Sequence, residues 1–144
     1  MRSAMTASAA NSYPESRPPV LRVARPTRSL LATAGFYTRA LGLEVLEKFT
    51  DHEGFDGVVL GRAGWPYHLE LTHQAEHAVT PRPTVEDLLV VYLPDRTEWE
   101  RAIRRIRDTG AHPVKARNPY WDRCGLTFED PDGYRIVIAN MGWP

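Results

Sequence analysis

The sequence contains the same order of elements twice, a strand, a helix and three further strands, with a period of roughly 67 residues. Gly42 follows the first predicted helix and Gly110 follows the second. A unit of about 60 residues buries too little apolar surface to be stable alone. We therefore predict one α+β domain over 21–144, in which a module at 21–73 and a module at 86–141 share a core.

The first module is predicted to begin with a strand at 21–24 and a helix from Ser29 to Leu41. Ser29 is a residue type that caps helix N-termini, and glycine at position 42 suits the end of the helix. Three strands follow at 43–50, 55–60 and 67–72. The last of these, YHLELT, alternates in the way that is typical of a half-buried strand.

The second module repeats this order of elements. Its predicted elements are a strand at 87–93, a helix at 95–108 and strands at 112–115, 124–129 and 134–139. The segment Asp130-Pro131-Asp132-Gly133 joins the last two strands and has the residue order of a type I turn.

Composition and charge exclude several classes of protein. Eighteen basic residues balance eighteen acidic ones, so nucleic-acid binding driven by phosphate contacts is not expected. The sequence has no apolar run long enough to span a membrane.

Residues 1–20 are rich in Ser, Ala and Pro and lack a secretory signal, which predicts a disordered tail. The single cysteine, Cys124, predicts a reducing, cytoplasmic setting and a buried, inert thiol.

Three segments of the chain resemble the vicinal oxygen chelate superfamily: RVARPTRSLLATAGFYTRALGLEV, YHLELT and FEDPDGYRIVIAN. That superfamily includes glyoxalase I, extradiol dioxygenases, fosfomycin-resistance enzymes and bleomycin-resistance proteins. The resemblance implies paired βαβββ modules that form a curved, mixed, eight-stranded sheet around a cleft, often in a homodimer. The stretches HEGFDGVVLG, PYHLEL and NPYWDR are similar to an uncharacterised branch of the superfamily.

The resemblance also implies four metal-ligand positions, which fall on Arg22, Glu70, Leu88 and Val137. Glu70 can ligate a divalent cation, whereas Arg22 is cationic and the other two side chains have no donor atoms. We therefore predict no metal and no other cofactor. A carboxylate left without the ion needs another cation, so we hypothesise that Arg22 pairs with Glu70 through two parallel N–H bonds.

His68 shares a strand face with Glu70 and Thr72, because side chains alternate along a strand. Three interpretations of His68 stay open: a polar histidine in the cleft, a structural histidine, or a ligand of a displaced divalent metal site with Glu70. His52 and His73 would contribute to such a site if the fold brought them close.

Aromatic and polar residues concentrate in the segment NPYWDR before a predicted strand. That composition suits the rim of a ligand pocket. The candidate ligand-binding residues here are Asn118, Tyr120, Trp121 and Arg123, together with Tyr92 on the distant strand at 87–93. In the alternative interpretation, Tyr120 and Trp121 fill space against the sheet.

The sequence thus predicts a metal-free cleft that binds a small organic molecule, in a protein similar to the bleomycin-resistance proteins. The alternative is an enzyme of the same superfamily, a lyase, isomerase or dioxygenase. In that case His68 and Glu70 would act as acid and base, or would hold a displaced divalent metal.

Overall fold

A computed structural model of the chain describes residues 17–143. The disordered tail predicted at 1–20 therefore lies almost entirely outside the described residues. Seven strands form two sheets, one in each predicted module. The paired-module α+β fold is confirmed. Within the described range, no helix is long and apolar enough to cross a membrane.

The first sheet has the strand order β1-β4-β3-β2. Its module consists of β1 (Leu21–Pro26), α1 (Leu30–Leu41), β2 (Glu44–His52), β3 (Phe55–Gly61) and β4 (Tyr67–Gln74). Strand β1 runs parallel to β4, and the other pairs are antiparallel. Pro26 belongs to β1 because this strand is at the edge of the sheet, where a missing N–H is tolerated.

The ends of helix α1 are those predicted from the sequence. The Ser29 side chain accepts a hydrogen bond from the backbone N–H of Ala32 at 3.1 Å. Gly42 has a φ of 66°, in the left-handed region that favours glycine, and its N–H bonds the carbonyl of Tyr37. The helix therefore begins and ends on local signals.

The second sheet has the order β5-β7-β6, with β5 parallel to β7. Its module consists of β5 (Leu88–Tyr92), α2 (Arg96–Asp108), the single turn α3 (Tyr120–Arg123), β6 (Gly125–Glu129) and β7 (Arg135–Ala139).

The strand predicted at 112–115 is reduced to one bridge between Val114 and Thr127. Pro113 has no N–H to donate to a ladder, and the chain then turns into α3, which the sequence did not predict. The fold therefore has seven strands in two sheets, where eight strands in one curved sheet were predicted.

The main core lies where α1 and α2 pack against one face of each sheet. It contains aromatic and aliphatic side chains from both modules: Phe36, Tyr37, Leu60, Leu71, Ile103, Ile106, Phe128, Ile136 and Ile138. Because this cluster crosses the module boundary, neither module buries its apolar face alone.

Buried hydrogen bonds also join the last turn of the second module to the first module. Tyr37 Oη donates to Asp130 Oδ2 at 2.7 Å, and Thr27 Oγ1 donates to Asp132 Oδ2 at 2.6 Å. Asp132 Oδ1 accepts the backbone N–H of Arg28 at 3.1 Å. Burial raises the pKa of Tyr37 and that of Asp130.

The face of each sheet that points away from α1 and α2, called here the distal face, differs between the modules. In the first sheet it carries the polar side chains Arg22, His68, Glu70 and Thr72. In the second sheet most of the distal face is apolar and packs against Trp121, through Leu88, Val90, Tyr92, Val137 and Ala139. Its polar members are Thr127, Glu129 and Arg135, which the strand registers place on the same face.

Candidate functional site

A groove of about 500 Å³, the first groove, lies on the distal face of the first sheet. Its lining combines two phenylalanines with acidic and polar groups: Glu47, Phe49, His52, Glu53, Phe55, Glu70 and Thr72. Strand β2 pairs Glu47 with Val59 and Phe49 with Gly57, and β3 pairs those same residues with Glu70 and Thr72. The strand registers therefore place the lining residues on one face.

Arg22 lies beside this groove and contacts two of the predicted site residues. Its Nη1 donates to Glu70 Oε2 at 3.1 Å, and its Nη2 lies 3.4 Å from His68 Nδ1. Arginine can only donate, so Nδ1 of His68 is the acceptor in this contact.

The predicted pairing of Arg22 with Glu70 is thus present, but its form differs from the hypothesis. One N–H bond joins the two side chains rather than two, because the second guanidinium nitrogen faces His68. The Arg22 side chain is 41% exposed and that of Glu70 18% exposed, so the pair lies at the surface of the sheet. An ion pair with this exposure stabilises a fold by at most about 1 kcal/mol.

Phe49 forms the apolar floor of the first groove because a glycine faces it. A Cβ atom added at Gly57 would overlap the Phe49 ring. The ring of His52 approaches that of Phe49 edge-on, with 6.1 Å between centroids. The absence of a side chain at position 57 therefore lets an aromatic ring lie flat against the backbone of β3.

The four metal-ligand positions implied by the resemblance do not fit a metal. Arg22 and Glu70 lie on the distal face of the first sheet, whereas Leu88 and Val137 belong to the apolar cluster on the second. A guanidinium and two aliphatic side chains cannot coordinate a cation. Among residues 17–143, no group of three or more His, Cys, Asp or Glu side chains could hold an ion.

His52 and His73, considered as further ligands of a displaced metal site, lie in different parts of the first sheet. His52 lines the first groove at the end of β2. His73 lies an odd number of residues from Glu70, so it points to the opposite face, and its Nδ1 is 3.2 Å from the carbonyl oxygen of Thr27. The condition under which His73 would contribute to a displaced site, proximity to Glu70 on the same face, is therefore not met.

The candidate residues of the NPYWDR segment lie on the other sheet. Trp121 is buried against Val137 and Ala139, and Tyr120 packs edge-on against Trp121 at 4.9 Å between centroids. Tyr92 stacks at 6.5 Å from Trp121. The burial of Trp121 agrees with the interpretation in which its ring fills space against the sheet.

The polar members of that segment have different environments. The side-chain oxygen of Asn118 accepts the backbone N–H of Tyr120 at 3.0 Å, which begins α3. Arg123 is exposed at the other end of α3. Whether Asn118, Arg123 and the aromatic residues contact a ligand stays a prediction.

Cys124 is exposed, so the prediction of a buried thiol is wrong. The residue follows α3 directly and precedes β6, where it lies outside the ladder of the second sheet. Its backbone carbonyl accepts the N–H of Asn140 at 2.7 Å, which anchors the main chain and leaves the side chain at the surface.

Sequence reasoning did not single out four residues of the first groove: Glu47, Phe49, Glu53 and Phe55. A usable signal was present, because the predicted strands at 43–50 and 55–60 form a hairpin next to the strand of Glu70. The turn between them was also visible as Asp51-His52-Glu53-Gly54. What sequence could not supply was the β-bulge between Val45 and Glu47, which shifts the register of β2.

The two modules, one with four strands and one with three, form a glyoxalase-like fold, and the chain is a member of the vicinal oxygen chelate superfamily. Trypanothione-dependent glyoxalase I from Leishmania major superposes with a TM-score of 0.65 at 22% identity, over 87% of this chain and 88% of that chain. A glyoxylase/bleomycin resistance protein/dioxygenase domain from Frankia sp. EAN1pec gives 0.59 at 17% identity, over 93% and 98%. These two likenesses show the fold.

Within that superfamily, the chain belongs to the YycE-like family. The model of the YycE-like N-terminal domain matches residues 21–72, and that of the YycE-like C-terminal domain matches 86–140. The uncharacterised protein YycE of Bacillus subtilis (strain 168) is 39% identical over 120 residues, 83% of this chain and 86% of its own length. A crystal structure of a YycE protein of unknown function from Bacillus subtilis has a TM-score of 0.81 at 38% identity, covering 87% of this chain and 91% of that chain.

Proposed function

We propose that the chain binds a small organic cation with a planar apolar part in the first groove, without a metal. The observation that carries this proposal is the set of carboxylates, Glu47, Glu53 and Glu70, that lines the first groove beside two phenylalanines. The pairing of Arg22 with Glu70 at 3.1 Å supports the absence of a metal, because a guanidinium at an expected ligand position satisfies the carboxylate and offers no coordination site.

The charge of the first groove determines the ligand class. Three carboxylates line it, those of Glu47, Glu53 and Glu70, and Arg22 neutralises the last of these. Two carboxylates are left to face the solvent at the rim. A cationic ligand would gain attraction from both, whereas an anion would be repelled.

The aromatic lining supports the same ligand class. Phe49 and Phe55 provide apolar surface next to the carboxylates. A planar cation can place its apolar face on a ring and its charge beside a carboxylate, which combines burial with cation–π attraction.

A protein that shares the fold binds a small molecule. The antibiotic-binding protein TnmS3 from Streptomyces sp. CB03234 shares this fold, with a TM-score of 0.61 at 17% identity, over 86% of this chain and 96% of that chain. At this identity the likeness concerns the fold, so the ligand class rests on the residues of the groove.

Three ligands of one shape but different charge test this proposal: benzamidine, benzamide and benzoate. We expect the backbone amide signals of residues 47–55, which report on the first groove alone, to show tightest binding for benzamidine, and a loss of about tenfold in E47Q/E53Q, in which two charge-assisted contacts are removed. The matched control is E98Q, a charge removed from the exposed face of α2. Equal affinity for the three ligands, or unchanged binding in E47Q/E53Q, would contradict the proposal.

The alternative of an enzyme that uses His68 as a base loses support from the contact with Arg22. The Nδ1 atom of His68 faces a guanidinium nitrogen at 3.4 Å, so this nitrogen is not open to a proton from a substrate. An acid–base role would therefore fall to Glu70, which is itself paired with Arg22.

We expect two copies of the chain to associate, which was predicted from the resemblance. The distal face of the first sheet is open in the single chain, and large apolar residues are exposed on its edge strands at Leu21, Val45 and Leu46. Such surface favours association. Sedimentation equilibrium should give twice the chain mass, and a mass equal to one chain at all concentrations would contradict the expectation.

A further inference from the structure

A second groove, separate from the first, lies beside the second sheet and has a volume of about 630 Å³. Three of its lining residues are cationic and three are apolar: Lys115, Arg117 and Arg135 with Val85, Ala116 and Pro119. This lining contains no carboxylate, in contrast to the lining of the first groove.

The guanidinium of Arg135 is held in place before any ligand arrives. Its Nε donates to Glu129 Oε2 at 3.2 Å, and its Nη1 donates to the backbone carbonyl of Lys115 at 3.2 Å. The side chain is 12% exposed. These contacts orient the guanidinium, and among residues 17–143 its Nη2 atom makes no hydrogen bond to protein, so this nitrogen remains available as a donor.

The chain segment that carries the other two cations is also fixed. The backbone N–H of Val114 donates to Thr127 at 2.8 Å, which docks the segment on β6. The N–H of Ala116 donates to Asp122 Oδ1 at 3.2 Å, and Ala116 itself is buried in the cluster with Trp121. The segment from Val114 to Pro119 is therefore a preorganised frame rather than a free loop.

The charges on this frame are unbalanced. In the described part of the chain, no ion pair or hydrogen bond engages the side-chain nitrogens of Lys115 or Arg117. Glu129 compensates Arg135, through the bond from Nε at 3.2 Å. Like charges held beside one groove repel, and a bound anion would relieve that repulsion.

We infer that the second groove binds a small organic oxyanion, a carboxylate or a phosphonate attached to an apolar body. The oxyanion would accept hydrogen bonds from Arg135, Lys115 and Arg117. The planar guanidinium groups of the arginines and the compact ammonium group of the lysine can each bind a carboxylate or a phosphonate. The apolar body would lie against Val85 and Pro119. The chemistry of this groove is opposite to that of the first, and the inference does not rest on the proposed function.

Benzoate and phenylphosphonate are the probes for this site, and benzamide is their neutral counterpart. Titrations followed by backbone amide shifts should move the signals of residues 115–117 saturably with both anions, and should not move them with benzamide. K115Q/R117Q should weaken binding of both anions by about tenfold or more, because charge-assisted hydrogen bonds are lost. Raising the ionic strength should weaken binding in the same direction.

A matched variant separates a local contact from a change in net charge. R101Q/R104Q removes two exposed arginines from α2, outside the groove, and should leave the affinities unchanged. Arg135 is left intact because its loss would also break contacts to Glu129 and Lys115. Anion affinity within twofold of the parent in K115Q/R117Q, an equal loss in R101Q/R104Q, or the lack of saturable shifts at 115–117 would each overturn the inference. The benzamidine titration of the first groove is independent of all three outcomes.

Discussion

Arg22 shows how one side chain changes the chemistry available to a fold. Strand β1 places it opposite His68 and diagonal to Glu70, so its guanidinium reaches both. The pairing with Glu70 was predicted because the resemblance to the superfamily placed Arg22 on the strand next to that of Glu70, whereas the alternation of YHLELT predicted only that His68 and Glu70 share a face. Its exposure was not predictable, since exposure depends on what covers the sheet.

Glu70→Gln is expected to destabilise the fold by no more than about 1 kcal/mol, because the pair with Arg22 is partly exposed and screened. This is a smaller effect than a buried pair would produce. Chemical denaturation measures it, with E98Q as the control for loss of an exposed carboxylate. A loss of several kcal/mol would show that the pair is buried in the native protein.

Gly57→Ala is expected to displace Phe49 from the floor of the first groove, because the added Cβ would overlap its ring. Overpacking of this kind costs on the order of 1–3 kcal/mol. The expected results are a lower unfolding midpoint and weaker benzamidine binding. Gly64→Ala is a control at an exposed turn, where nothing lies near the added Cβ, although its φ of 83° carries a strain of its own. Unchanged benzamidine affinity in Gly57→Ala would contradict the assigned floor.

At the scale of elements, local signals predicted most of the fold, and tertiary packing decided the rest. Ser29, Gly42 and the Asp130–Gly133 turn act through bonds within a few residues, so the sequence reveals them. The strand predicted at 112–115 needed a partner along its length and has a single bridge. Helix α3 depends on Trp121 packing against β7, a contact between residues far apart in sequence.

Asp132→Ala is expected to destabilise the protein by on the order of 3 kcal/mol, because it leaves the buried hydroxyls of Thr27 and Thr33 without their acceptor. The contacts join α1 to the turn before β7, so both modules should unfold in one less stable transition. Asp108→Ala, at the exposed end of α2, is the control. If the double variant with Thr27→Val showed purely additive losses, the two side chains would not be coupled.

At the scale of the whole molecule, a net charge of zero conceals an uneven distribution. Carboxylates line the first groove and cations line the second. Total composition could not reveal this separation, which arises only when strands from distant parts of the sequence are paired. The comparison with YycE establishes the family, and the residues of the two grooves supply the chemistry.

The buried aspartate between the modules should make stability depend on pH. Burial raises the pKa of Asp130 above its ordinary value of 3.8, with the Tyr37 hydrogen bond acting in the opposite direction. Between the ordinary and the raised pKa, the folded protein binds more protons than the unfolded chain, so this group's contribution to stability falls as pH rises. Asp130→Asn should remove that fall.

The measurement is the free energy of unfolding of the parent and of Asp130→Asn, from about pH 3 to about pH 7. As pH rises from the ordinary pKa of Asp130 through its raised value, the free energy of unfolding of the parent should fall relative to that of Asp130→Asn. Other carboxylates titrate equally in both proteins and cancel. Two parallel pH profiles would show that the Asp130 pKa is not raised in the folded state.

The central claim is that Arg22 and Glu70 have replaced a metal site on the first sheet. Elemental analysis by plasma mass spectrometry tests it most directly, on protein purified without chelators and then dialysed against Zn²⁺, Ni²⁺ or Mn²⁺. The account predicts no stoichiometric divalent ion in the parent, and the same result in His68→Ala. One ion per chain that is lost in His68→Ala would contradict the account and identify a metal centre at His68 and Glu70.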